Sequence, residues 1–179
     1  MKIQNENGRT MLEMLGVISI MGIITYGAIA GINYGMTAYK INQMYNEVQE
    51  IVEGIEDLYS WSKRYPTGNK IMEAAADNDI FSDDNLSSCA GGSGQKCIQG
   101  AYSDVYVGAA GSCDTDGCSN FEIRYFAIPA DDCGRISQLD WDSLSVDYKI
   151  SFKSSEPSKN CPGVNDSDVK SVTFIFQPK

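Results

Sequence analysis

The sequence predicts an α+β fold: one long N-terminal α-helix packed on a C-terminal antiparallel sheet of about four strands, stapled by disulfides. Three observations carry this. An uncharged apolar run from Met14 to Tyr39 passes without a break into an amphipathic pattern, strand-like segments follow Pro66, and all six cysteines lie beyond the apolar run. A chain of 179 residues can form one domain with a real core plus one appended element.

The apolar run comes first. At about 1.5 Å per residue, Met14 to Tyr39 can cross a hydrocarbon core of about 30 Å. Lys2 and Arg9 precede it, and acidic residues dominate the chain beyond it, so the positive-inside tendency places its N-terminal end in the cytoplasm. A secretory signal would have a shorter apolar core and a small-residue cleavage site at its far end. Here the junction lies at the near end, and one carboxylate, Glu13, stands at the front edge of the run.

The second half of the helix changes character. Ile41, Met44, Tyr45, Val48, Ile51, Val52, Ile55, Leu58 and Tyr59 recur at three- and four-residue steps, with Asn, Gln, Glu and Asp between them. That is a single stripe facing a core. The pattern predicts helix up to Tyr65-Pro66-Thr67-Gly68, where Pro and Gly end it.

Glycines interrupt the apolar half at Gly16, Gly22, Gly27, Gly31 and Gly35, the last three at four-residue intervals. Small residues at this spacing let helix backbones approach closely. Each also lowers helix preference by about 1 kcal/mol relative to Ala, so Gly27, Gly31 and Gly35 are equally candidates for a stretch that loosens. The two readings are compatible.

Beyond Pro66 the pattern predicts a short helix over Asn69 to Ala76 and an irregular stretch from Asp77 to Gly100. Strands are expected at Asp104 to Ala109, Phe121 to Ile128, Val146 to Phe152 and Ser171 to Gln177, with a short helix from Ala130 to Leu139. In the last strand Val172, Phe174 and Phe176 alternate with residues of the other face.

Six cysteines in a Gly/Ser/Asp-rich, extracytoplasmic region favour disulfides. Their spacing suggests local staples at Cys89/Cys97 and Cys113/Cys118, leaving Cys133 and Cys161 to close a long segment, but does not fix the pairing. Such a long loop is worth roughly 3 to 4 kcal/mol.

Several functions are disfavoured. With no His, the commonest general base and metal ligand is absent, and the cysteine spacings make a poor tetrahedral zinc set, so neither a metal nor a cofactor is expected. Asp114-x-Asp116, Asp77-x-Asp79 and Asp83-Asp84 read as solvated turns rather than calcium loops. A formal charge of -10 argues against a nucleic-acid partner. No nucleophile, base and orienter can be assembled, so an enzyme is not expected.

The segment Gly8-Arg9-Thr10-Met11-Leu12-Glu13, after a short polar leader and before the apolar run, resembles the processing site of a type IV prepilin. In that family a membrane peptidase cuts after the Gly and leaves a mature chain whose fifth residue is Glu; counted from Arg9, the fifth residue is Glu13. The stretch from Phe121 to Ile136, Tyr65-Pro66 and Asn160-Cys161-Pro162-Gly163 are similar to the corresponding parts of type IVb pilins. Arg9 departs from the apolar, N-methylated first residue common there, and Ala30 stands where many type IVa pilins have a helix-breaking Pro.

The resemblance implies a prepilin leader at 1–8, a transmembrane and filament-core helix at 9–39, an amphipathic half at 40–65, an αβ-loop region at 66–120, and a sheet with the D-region at 121–179. It implies Cys133–Cys161 as the D-region bridge, and Glu13 as partner of the free amine that cleavage creates on Arg9 of a neighbouring subunit. The expected role is that of a major pilin in a homopolymeric filament, met first by the prepilin peptidase and the inner-membrane assembly machinery. A minor pilin or type II secretion pseudopilin is the alternative within the superfamily, and a monomeric membrane-anchored binding module the alternative outside it.

Overall fold

A computed structural model describes residues 11–81, 86–89, 94–152, 157–162 and 171–179, without the side chains of Leu12 and Ser171. Helix α1 runs from Met11 to Leu58 and α2 from Lys70 to Asp77. Strands follow at Ser87–Ser88 (β1), Lys96–Gln99 (β2), Asp104–Asp114 (β3) and Gly117–Pro129 (β4). A 3₁₀ turn leads into the short α3, Cys133–Ser137, and a second 3₁₀ turn, Trp141–Leu144, precedes β5, Val146–Ser151, and β6, Ser171–Pro178.

Contacts divide the chain between Tyr39 and Lys40. In the second unit, the head, the strands form one antiparallel sheet in the order β1-β2-β3-β4-β6-β5. The register sets Ile123 opposite Phe176, Tyr125 opposite Phe174 and Ile150 opposite Phe174. The apolar stripe of α1 is buried at Ile41, Met44, Val48, Ile51, Val52 and Ile55, in one cluster with Phe121, Ile123, Tyr125, Val172, Phe174 and Phe176 of the sheet. Burying side chains of this size contributes about 1.5–3 kcal/mol each, which anchors this half of the helix far more firmly than its helix propensity.

Six strands form where about four were expected. The two added ones, β1 and β2, fall in the stretch read as irregular, which is rich in Gly, Ser and Asp. Cys89–Cys97 bridges this region, and Ile98 of β2 pairs with Val105 of β3, so covalent closure and the neighbouring strand hold a short run that β-propensity alone would not.

β3 and β4 also extend beyond the expected bounds, because their hairpin continues to Asp114 and Gly117. Asp114 accepts the Asp116 N–H through Oδ1 at 3.0 Å, and the Cys113–Cys118 bridge joins residues directly opposite in register. Gly117 has φ 125°, and a Cβ there would lie 2.9 Å from the Tyr65 carbonyl oxygen, so only glycine fits between the hairpin and the chain leaving α1.

Helix α1 ends at Leu58 rather than near Tyr65. Turns occupy residues 59–62, Lys63 adopts a left-handed φ of 49°, and Tyr65 pairs with Cys118 in an isolated bridge (N···O 3.0 and 2.9 Å). The chain therefore leaves the helix before Pro66 forces it to. The helix expected over Ala130 to Leu139 is shorter as well, reduced to the 3₁₀ turn and α3.

Candidate functional site

In the first unit, α1 is apolar on every side. Ile18, Met21, Ile23, Ile24, Tyr26, Ile32 and Tyr34 are all exposed, and none of its most apolar window is buried. The helix is long and apolar enough to cross a membrane. Two of its hydroxyls bond within the helix: Ser19 Oγ donates to the Leu15 carbonyl at 2.9 Å and Thr25 Oγ1 to the Met21 carbonyl at 2.8 Å. Such bonds satisfy hydroxyls where no water is present.

Glu13 is exposed in the first turn of α1, where a carboxylate faces the positive end of the helix dipole. Gly8 and Arg9, the residues assigned to cleavage and to the partner amine, lie outside the described residues. Gly27, Gly31 and Gly35 fall within unbroken helix, and a Cβ at any of them would meet no atom within 4 Å. The single chain thus leaves this glycine face open.

In the head, the disulfides are Cys89–Cys97, Cys113–Cys118 and Cys133–Cys161. The third ties α3 to the segment after β5. Nearby, Tyr102 donates to Asp132, whose carboxylate also lies 4.0 Å from Arg135. Burial and then the Asp132 carboxylate push the Tyr102 phenol above its ordinary value. Trp141 is buried, donates Nε1–H to the Ile136 carbonyl at 2.9 Å, and packs on Phe176 with ring centroids 4.4 Å apart.

Glu47 is a feature the sequence reading passed over. It sits on α1 beside the buried stripe, and its Oε2 accepts the Ala101 N–H at 2.9 Å and the Tyr125 hydroxyl at 2.8 Å. One carboxylate therefore joins α1, the β2–β3 connection and β4. Burial pushes it above its ordinary value, outweighing the pull of its two donors in the other direction. Its signal in the sequence was faint, since it is one acidic residue among several in the polar pattern.

The fully exposed Trp61, in the turn after α1, was also passed over. Among the described residues it is the one exposed large apolar side chain of the head; the others all lie between Met11 and Tyr39. Among the described residues no group of three or more His, Cys, Asp or Glu is placed to hold a metal ion. The surface with the clearest chemical meaning is the uncovered apolar helix.

No protein-family model matches the chain. No curated protein matches it either. Among solved structures, the crystal structure of a type IVb pilin from Salmonella typhi aligns with 77% of this chain and 98% of its own, with a TM-score of 0.50 and 14% identity. A long apolar N-terminal helix, packed through its amphipathic half on a disulfide-bearing antiparallel sheet, is the fold of a type IVb pilin.

Proposed function

We propose that the chain is the major structural subunit of a type IV pilus, cut by a prepilin peptidase between Gly8 and Arg9 and polymerised through the first half of α1. The observation that supports this best is the all-round exposure of Met14 to Met36 on a helix whose continuation is locked into the head. Such a surface needs lipid first and other helices afterwards. The inner membrane is then a reservoir, and the extracellular filament is the destination.

Glu13 gives the transfer its direction. A carboxylate within the bilayer costs about 2.5–3.5 kcal/mol on insertion scales, so pairing with the new α-amine of Arg9 on a neighbouring subunit draws the cleaved chain into the polymer. Packing the open faces of Gly27, Gly31 and Gly35 against neighbours, or loosening the helix there, would accompany assembly.

N-terminal sequencing and intact mass of sheared surface filaments test the reading. An Arg9 terminus, a mass six hydrogens below the reduced chain and dominance of this subunit in the fraction are expected. Glu13→Ala should leave cleavage intact and reduce filament yield at least about tenfold. A trace amount among other subunits would instead mark a minor pilin or pseudopilin. A retained Met1 with no polymer would mark a monomeric anchored protein.

A further inference from the structure

The head carries two surfaces of opposite character on consecutive elements. On α1, between Lys40 and Lys63, there is no basic residue, whereas Glu50, Glu53 and Asp57 are exposed three and four residues apart on the side facing away from Met44, Val48 and Ile55. None of the three forms an ion pair among the described residues; Glu53 accepts only the Gln49 amide, at 2.9 Å. Like charges at this spacing disfavour an isolated helix by a few tenths of a kcal/mol.

The connection from α1 to α2 is the counterpart. It carries Trp61, fully exposed, then Lys63, exposed and in a left-handed backbone conformation, with Lys70 exposed where α2 begins. Lys63 and Lys70 have no ion-pair partner among the described residues, whereas Arg64 pairs with Asp114 at 2.7 Å. An exposed Trp followed in the same connection by cations without ion-pair partners has the composition of an interface anchor, where Trp dominates binding and charge fixes register.

We infer that the Trp61–Lys63–Lys70 connection of one copy docks on the Glu50–Glu53–Asp57 stripe of the next copy. This rests on the polymer reading above and names one of its contacts. A second copy is the occupant because each chain holds both halves of a complementary pair, and the halves are different patches. Such a heterologous contact propagates into a helical filament instead of closing a dimer.

The contact also sets a step. Trp61 lies beyond the stripe along the chain, in the turn after α1, so two copies with parallel helices joined by this contact are displaced along the helix axis rather than side by side. Trp61 becomes the buried centre of the contact, and the lysines and carboxylates form its rim.

Tryptophan emission tests this directly, because Trp61 is fully exposed whereas Trp141 is only 2% exposed. Acrylamide, a neutral quencher, is applied to the full chain in detergent and to intact filaments. The accessible component, identified by its loss in Trp61→Phe, should fall at least fivefold on polymerisation. Filaments in which Trp61 stays as quenchable as in detergent overturn the inference while leaving the polymer reading standing; a wild-type chain that makes no filament defeats both.

A charge exchange tests the pairing itself. Lys63→Glu with Lys70→Glu should lower filament yield at least tenfold in a chain whose near-UV circular dichroism is unchanged, and adding Glu53→Lys with Asp57→Lys should restore it. Full yield from the first pair, or loss that the second pair leaves in place, overturns the contact.

Discussion

Replacing Glu47 by Gln and by Ala separates its hydrogen bonds from its charge. Both donors converge on one oxygen, Oε2, at 2.9 and 2.8 Å, so a Gln placing its amide oxygen there keeps both bonds. Ala removes both and leaves the hydroxyl of the fully buried Tyr125 without an acceptor. An orphaned buried donor costs about 1–3 kcal/mol, and loss of the bond to the Ala101 N–H adds about 1 kcal/mol, so Glu47→Ala should destabilise the head by about 2–4 kcal/mol.

The pH dependence has a definite sign. Burial raises the folded-state pKa of Glu47 above its ordinary value of 4.5. Between that value and the folded pKa the folded chain holds more protons than the unfolded one, so stability falls as pH rises through this window. Below 4.5 the contribution is fully present. Glu47→Gln lacks this loss, so its stability relative to wild type should improve from pH 4 to pH 8.

Denaturant midpoints of the disulfide-intact chain in detergent, at constant slope, measure all three proteins. A Gln variant that weakens relative to wild type as pH rises would refute the reasoning, as would an Ala variant equal to wild type at pH 7.

Three further outcomes are expected. Cys133→Ser with Cys161→Ser should cost about 2–5 kcal/mol, read as a lowered denaturant midpoint, because this bridge closes the longest covalent loop of the head. A Cβ at Gly54 would lie 2.9 Å from Ile80 Cγ2, so Gly54→Ala should destabilise by about 1–2 kcal/mol. In an Ile80→Ala background it should stabilise by up to about 1 kcal/mol, the helix propensity of Ala then acting unopposed, as a double-mutant cycle would read. Lys159 donates to Asp147 at 2.5 Å and holds its carboxyl below the ordinary value of 3.8; that contribution is lost as pH falls through the folded pKa, so Asp147→Asn should flatten the acid limb of the stability curve, with little effect at pH 7 for so exposed a pair.

Much of the fold was legible because it is written in period and polarity. The stripe from Ile41 to Ile55 and the alternation of Val172, Phe174 and Phe176 are direct imprints of the core they enter. The short strands β1 and β2 left no such imprint, since their pairing depends on Cys89–Cys97 and on β3 rather than on their own composition. The exit of α1 at Leu58 was equally hidden: the bridge from Tyr65 to Cys118, distant in sequence, claims residues whose local pattern still reads as helix.

The exposed apolar half of α1 was legible in its hydropathy. Glu47 and Trp61 were not, for opposite reasons. Glu47 is one acid among several and becomes distinct only when Ala101 and Tyr125 arrive from elsewhere in the chain. Trp61 has the composition of a core residue, and only the fold shows that it is left outside.

The strand order also governs how the sheet is held together. β6 lies between β4 and β5, and β5 pairs with no other strand. β5 precedes in the chain the strand that holds it, and the core residues of β6, Val172, Phe174 and Phe176, follow all the other buried core residues in sequence. Loss of β6 therefore leaves β5 without a partner strand as well, opening the sheet from within instead of fraying its edge. The edge of this sheet thus depends on an interior neighbour that the chain supplies after it.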